Sequence, residues 1–352
     1  MKLHALSYAY PPWNSPRSIQ VSRLLRHVNL PTIVYCGRHL LGSDRSLAAV
    51  SRADGPGLLA IHRWRRSIWE PVTDRVTYVV RRELLQLPDR YRRWSFRAAQ
   101  RIRAGKTCDP SQDVLITFGH PMSSHLAGVR LKESTGIRWI AHFSDPWVDN
   151  PFSSLGASMR NAVASMEREV MAATDRIIFT NHETLELVMS KYPAEWRGKA
   201  RVLPHCFEAR RVSERKVLGP RRPLVIRYVG KFYGKRTPEP LFRALVHLQD
   251  SDPRLLEGVT FELVGELTSR VLSSCPSSKA LTRSSVKLRG RVTYGQSLSL
   301  MDEADGLLVI DAPFEASPFL PSKLVDYLGA RKPIVGLTPS GASARLIEQL
   351  GG

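Results

Sequence analysis

Residues 311–336 read DAPFEASPFLPSKLVDYLGARKPIVG, and they hold in order the end of an apolar strand, a proline-punctuated loop, a short helix and the next buried strand. Counted from Ser322 at 100° per residue, Leu324, Val325 and Leu328 fall between about 200° and 300°, whereas Ser322, Lys323 and Asp326 fall between about 0° and 100°. One face is core and the other polar. A helix that starts after a loop at the carboxyl end of a parallel strand turns its free N–H groups and positive dipole end toward the crevice where α/β folds bind ligands. That makes a phosphate seat. Asp326, one turn in, is placed to accept hydrogen bonds from a ribose diol, and Glu315 in the loop could reach hydroxyls of whatever the phosphate carries. Spacing alone leaves a second reading open, in which Ser322 is an N-cap and Asp326 a solvated charge.

Working outward, short β-branched runs alternate with helical patterns, the mark of an α/β fold with parallel sheets. Strands are expected at 2–8, 32–36, 76–80, 113–118, 138–143, 176–180 and 200–203, then at 224–230, 259–264, 286–289, 307–311 and 333–337. Helices are expected at 17–28, 123–133, 157–173, 183–190, 238–249, 294–303, 322–330 and 343–350. Residues 38–75 show no clear period. The charged stretch 206–222, CFEARRVSERKVLGPRR, separates the two series as a linker would. Two domains are therefore expected, 1–205 and 223–352.

Three further segments stand at expected strand ends. In 224–237, LVIRYVGKFYGKRT, Gly230 closes a strand and Lys231, Lys235 and Arg236 follow it, as cations that clamp a pyrophosphate would; a solvated basic loop is the other reading. In 138–150, RWIAHFSDPWVDN, the proline after Asp145 forces an extended turn that sets this acid at the strand tip, with Trp147 as a wall, though Asp-Pro is also a common turn starter. The first turn, YAYPPWNSPRS from Tyr8 to Ser18, could line a site only with Asn14, Ser15 and backbone groups. GxGxxG after the first strand, GxxxxGK[ST], HExxH and GxSxG are absent, which removes support for dinucleotide oxidoreductases, P-loop NTPases, zincins and serine hydrolases. The tripeptide Asp250-Ser251-Asp252 sits between a helix and Pro253, at the wrong end of the next strand, and reads as a helix terminus rather than a metal site.

The 352 residues carry a formal net charge of +20, and 43% are hydrophobic, which excludes a disordered polyelectrolyte. No run approaches the ~18–20 apolar residues that span a bilayer. The charge is local: residues 52–106 hold +9 and 197–236 hold +11, leaving the rest neutral. Such regions attract nucleic acid, anionic lipid or phosphorylated small molecules. Cys36, Cys108, Cys206 and Cys275 form no zinc-type spacing and read as reduced, mostly buried thiols; with no signal-peptide core at the N-terminus, a reducing, intracellular compartment is expected.

Together these segments resemble the GT-B glycosyltransferases, specifically the retaining family 4 type that includes bacterial polysaccharide and glycolipid enzymes. The resemblance rests on the YPP turn, HFSDPW, VGKFYGKRTPEPLFRAL and above all SPFLPSKLVDYLGARKPIVG, and covers nearly the whole chain. It implies two Rossmann-like domains facing each other across a cleft, an N-terminal acceptor side and a C-terminal donor domain. It implies that Asp326 holds the nucleotide ribose, where the family usually has Glu. Lys231 and Arg236 would lie on the donor diphosphate and act catalytically; Gly230, Ser317, Ser322 and Lys323 would meet diphosphate and sugar; Asp145 would line the catalytic cleft; Asn14 and Ser15 would form the acceptor-side loop. The family's E-x7-E pair is broken by Pro318, leaving Glu315 as its substitute. The chain ends at Leu350-Gly351-Gly352, where the resemblance predicts another strand and closing helices, so an incomplete second domain is expected.

The resemblance thus implies a hexosyltransferase-type enzyme moving sugar from a nucleotide-sugar to a saccharide or lipid-linked acceptor hydroxyl with retention. It implies no metal and no cofactor beyond the co-substrate, no nucleic-acid partner, and a cytoplasmic location that allows contact with an anionic membrane surface at its inner face. Two alternatives remain at this point. One is an RNA- or other nucleic-acid-binding protein using 90–103, DRYRRWSFRAAQRI, a segment that equally suits a helix on anionic lipid with Trp94 and Phe96 buried, or a solvated basic helix. The other is a GT-B-fold sugar-nucleotide epimerase.

Overall fold

Short apolar runs bounded by turns form two parallel sheets in the computed structural model, which describes residues 1–38, 58–65, 87–105, 108–207, 223–281 and 286–351. The chain divides into two compact units, Met1–Cys206 and Phe207–Gly352. Each is α/β with a parallel sheet.

The first unit holds β1 (Leu3–Leu6), β2 (Thr32–Arg38), β3 (Leu58–Arg65), β4 (Val114–Phe118), β5 (Arg138–Phe143), β6 (Arg176–Phe179) and β7 (Ala200–Val202). Their spatial order is β3-β2-β1-β4-β5-β6-β7, every pair parallel. The principal helices are α1 (Pro16–Arg26), α2 (Arg92–Ala104), α3 (Ser123–Thr135), α4 (Ala157–Ala173) and α5 (His182–Met189). The chain steps outward from β1 to β3 and then returns to lay β4 on the other flank of β1. The carboxyl ends of β1 and β4 are therefore the switch point, where α/β sheets open a crevice.

The second unit repeats the plan with β8 (Leu224–Val229), β9 (Val259–Val264), β10 (Val286–Arg289), β11 (Gly306–Ile310) and β13 (Ile334–Leu337), in the order β10-β9-β8-β11-β13. A separate bridge joins β12 (Ala316–Ser317) to β14 (Ser340–Gly341). Its principal helices are α6 (Glu239–Ser251), α7 (Tyr294–Glu303), α8 (Ser322–Ala330) and α9 (Ala342–Gln349). Leu307, Leu308, Val309 and Ile310 are all buried, as a strand covered on both faces requires. Each such aliphatic side chain contributes about 1.5–3 kcal/mol.

Two elements escaped the periodicity. β3 lies in the segment that shows no pattern, and α2 proves to be a core helix. Its stripe of Trp94, Ser95, Ala98, Ala99 and Ile102 is buried, and Trp94 meets Tyr8 edge-on at 4.9 Å. The sequence readings of 90–103 as a solvated helix, or as one that offers Trp94 to lipid or nucleic acid, are thereby corrected, because that ring is spent inside the sheet–helix core. Phe96 lies under the Arg130 guanidinium, 3.7 Å from the ring centroid. The expected strand at 76–80 and most of the linker, 208–222, lie outside the described residues. Asp252 ends α6 and accepts from Arg254 N at 3.3 Å, the helix terminus expected there. Cys36 and Cys275 are buried and Cys108 and Cys206 half-buried, none in a disulfide; burial pushes the Cys36 thiol up to about 12. Among the described residues no helix is long and apolar enough to cross a membrane.

Candidate functional site

In the second unit β11 pairs with β8 only at Gly306↔Ile226 and Leu307↔Arg227, after which the strands part. The gap is filled by Tyr327 of α8. Its hydroxyl accepts from Val229 N at 2.8 Å and donates to Leu308 O at 3.2 Å, replacing the missing rungs. Beyond the wedge the loops after β8 and β11 converge. Gly230 has φ 154° and Gly265 φ 134°, and a Cβ on Gly265 would overlap the Gly230 carbonyl. Only glycine allows this approach.

The fold joins the two sequence segments here. Arg236 Nη2 donates to Asp311 Oδ1 at 2.8 Å across 75 residues of sequence, and both side chains are buried. Arg236 Nη1 also reaches Tyr233 Oη at 3.1 Å, while its Nε and Asp311 Oδ2 have no hydrogen-bond partner among the described residues. Lys231 is exposed and pairs with Glu266 at 2.9 Å. Lys235 lies 5.5 Å from the Phe314 ring centroid.

Lys323 differs from these. It lies on the Tyr228 ring, 3.7 Å from the centroid, and donates to the Tyr228 hydroxyl. A Cβ on Gly230 would meet its Nζ at 2.7 Å. It makes no ion pair with a described residue. Burial, then the charge of Arg236, holds its ammonium pKa well below the ordinary lysine range. An anion placed here would reverse that shift.

The start of α8 corrects one sequence reading. The N-cap is Pro321, which offers no side-chain hydrogen bond, and Ser322 is the first helical residue rather than the cap. Leu324 N donates to Pro321 O at 3.0 Å, and the N–H groups ahead of it are left for a ligand or solvent. Asp326 is 9% exposed and accepts from the Tyr294 hydroxyl at 3.3 Å, so it is not the solvated charge of the alternative reading. Ser317 is buried in β12, and Glu315 is exposed.

In the first unit Asp145 stands half-buried just past β5, accepting from Ser144 Oγ at 3.2 Å. Trp147, expected as a wall, is instead buried in the core at 7% exposure; the next residue, Val148, is held by its N–H on the buried carboxylate of Glu167 at 3.0 Å. Ser15 Oγ caps α1 by accepting from Ser18 N at 3.2 Å, and Asn14 is exposed. Sequence reasoning did not single out Tyr228 and Tyr327, nor Arg17 and His142 of the first unit, whose Nη1 and Nδ1 are buried without a hydrogen-bond partner among the described residues; the tyrosine within SPFLPSKLVDYLGARKPIVG was the only signal available.

At the opposite end of this sheet His4, Cys108 and Asp113 place ligand-type atoms within 4.8 Å of one another. Asp113 already accepts from Lys2 N, Asp109 N and His4 Nε2, and His4 Nδ1 meets Tyr35 Oη at 2.9 Å. The cluster is a satisfied network that ties β1 to β4.

No family model matches the chain, and no curated protein matches it. Solved structures do. HepE of Anabaena, crystallised with UDP and glucose, shares 12% identity, with 98% of this chain and 83% of that chain covered and a TM-score of 0.63. A UDP-forming α,α-trehalose-phosphate synthase from Burkholderia vietnamiensis shares 12%, covering 98% and 87% at a TM-score of 0.62. The lipopolysaccharide outer core galactosyltransferase WaaB shares 13%, covering 99% and 83% at 0.52. The chain has the fold of these proteins, the two-sheet GT-B architecture.

Proposed function

We propose that the chain is a glycosyltransferase that moves a sugar from a nucleotide-sugar to an acceptor hydroxyl, with the donor held by the second unit. One observation carries this reading: Lys323, without an ion pair to a described residue, stands beside the uncapped amino end of α8 at the switch point of a parallel sheet. A diphosphate supplies the charge this place lacks. Asp326, one turn further on, is set to take the ribose hydroxyls. Gly230, Ser317 and Ser322 line the approach, Glu315 faces the sugar, and Lys231 and Arg236 add positive potential where the leaving phosphate gathers charge. The cations do the work a metal would do in stabilising that charge, so the reading requires no metal. Attack on the face that the leaving group departs from, with retention, needs no protein nucleophile. Asp145 would orient sugar or acceptor, and Asn14 and Ser15 lie on the acceptor side.

The named activities of the structural neighbours support a donor of the UDP-sugar class. An acceptor in polysaccharide or glycolipid synthesis fits the exposed Arg93, Arg97, Arg101 and Arg103 of α2, a helix without an acidic residue, which suit a cytoplasmic enzyme touching an anionic membrane by charge. The nucleic-acid reading loses its stacking surface with Trp94 buried.

Calorimetry against UDP-, GDP- and ADP-sugars tests the proposal. One of them binds, and Asp326→Ala weakens it at least tenfold, since each hydrogen bond to a carboxylate is worth about 1.5–3 kcal/mol. Absence of binding at millimolar donor, or a conversion of donor without acceptor that yields an epimer, refutes it. Salt-sensitive RNA binding that survives Asp326→Ala would favour the nucleic-acid alternative.

A further inference from the structure

The foot of the first sheet gathers the ligand types of a transition-metal site. His4 on β1, Cys108, and Asp113 just ahead of β4 bring their ligand atoms within 4.8 Å of one another, and among the described residues no other three His, Cys, Asp or Glu side chains do so. Spacing alone does not reveal it, because His4 stands 109 residues from Asp113 and joins it only through the parallel pairing of β1 with β4.

Each member is held as a ligand is held. Asp113 is 2% exposed, and the N–H groups of Lys2 and Asp109, at 2.7 and 2.9 Å, fix its two oxygens. In spite of burial, these donors and His4 keep its carboxyl below the ordinary range, so it is an anion. His4 is fully buried, and burial above all holds its imidazole below the ordinary histidine value, so the ring is neutral. Its Nδ1 lies 2.9 Å from Tyr35 Oη, the outer contact that orients a ligating imidazole, and its Nε2 points at the Asp113 oxygen 3.1 Å away. Cys108 is the unspent member. Its thiol is free, half-buried and without a hydrogen bond to a described residue; burial, then the charges of Asp113 and Asp109, keeps it protonated.

The bonds that tie β1 to β4 are thus also the outer shell that a metal's ligands require. A neutral imidazole, a carboxylate and a thiol that yields its proton suit a borderline-soft dication, whereas calcium or magnesium would want oxygen ligands throughout. A tetrahedral ion with bonds of about 2.0–2.3 Å holds its ligand atoms roughly 3.3–3.7 Å apart, and the half-exposed Cys108 is the member that can swing in to close that distance.

We infer that His4, Cys108 and Asp113 form a binding site for a divalent ion of the zinc class, with three protein ligands and a fourth position for water. Bonds form from the metal to Nε2, Oδ2 and Sγ; the thiol gives its proton to solvent, the imidazole carries its own on Nδ1 toward Tyr35 Oη, and nothing is oxidised or reduced. The site lies at the amino ends of β1 and β4, opposite the crevice at their carboxyl ends, and nothing in it rests on the transferase reading.

The test is titration of the untagged full chain with cobalt(II), whose spectrum reports its ligands, followed by zinc(II). One cobalt per chain binds with the visible bands of a four-coordinate ion and the near-ultraviolet band of a cobalt–thiolate bond, and zinc abolishes both. Cys108→Ser loses the thiolate band and weakens cobalt at least tenfold, whereas Cys206→Ser, at another half-buried thiol, changes neither. Should the first variant fail to fold, the native chain gives the answer: zinc slows alkylation of Cys108 by iodoacetamide at least tenfold, read by peptide mass, and leaves Cys206 unchanged. Absence of stoichiometric binding, a six-coordinate spectrum without a thiolate band, or binding and alkylation indifferent to Cys108 overturns the inference. Binding of UDP bears on the donor reading alone and is unchanged in Cys108→Ser.

Discussion

Replacing Tyr327 by Phe removes one oxygen and tests how the switch point of the second unit is held open. The hydroxyl is the partner of Val229 N and of Leu308 O, and these three residues are 0%, 6% and 1% exposed. Without it a buried N–H loses its acceptor at a place where the diverging strands leave no other. The expected cost is about 1–3 kcal/mol; its middle value of about 2 kcal/mol is a factor of roughly 30 in the folding constant. In a unit of this size that lowers the midpoint by about 4–8 °C. Circular dichroism follows the melt, and hydrogen exchange of a peptide spanning 224–232 reports the Val229 amide directly. An internal reference is built in, because all seven tryptophans precede residue 207 and their fluorescence reports the first unit. A transition moved by less than about 0.5 kcal/mol, with exchange at Val229 unaltered, would show that the strands part without needing the wedge.

Two other outcomes follow from the same geometry. Burial holds the folded-state pKa of His125 well below the ordinary histidine value and that of His142 down to about 3. The unfolded chain binds those protons first, so stability is complete above about pH 6.5 and is lost as pH falls; His142 alone removes about 2 kcal/mol by pH 5. Tryptophan-detected urea unfolding that is flat between pH 7 and pH 5 contradicts this. Gly265→Ala forces a Cβ onto the Gly230 carbonyl at φ 134°. It should cost at least about 2 kcal/mol and weaken donor binding while the tryptophan-reported stability of the first unit is preserved, and a variant of native stability refutes the close approach.

The strands were legible where burial is two-sided, as in Gly306–Ile310, since no polar residue interrupts the run. β3 was not, because Leu58–Arg65 at the sheet edge mixes apolar residues with His62, Arg63 and Arg65. α2 hid its stripe behind five arginines. Of the site, the segments 224–237 and 311–336 could each be found by pattern, but their meeting through Arg236 and Asp311 could not, because periodicity says nothing of contacts 75 residues apart. The tyrosines at 228 and 327 looked like core filling; only the parting of β8 and β11 gives their hydroxyls a task. Arg17 and His142 left no local signal, since what marks them is a buried nitrogen without a hydrogen-bond partner among the described residues.

The small bridge between β12 and β14 pairs Ala316 with Ser340 and Ser317 with Gly341, and Ser340 Oγ adds a bond to Glu315 O at 3.1 Å. It draws together the two ends of the excursion 318–339, which contains the whole of α8 and β13. Such a drawstring makes the excursion a cassette. Side chains on α8 can be exchanged while the neck, and the pairing of β13 with β11, keep the excursion in place, and a graft of 315–341 carries its own fastening with it.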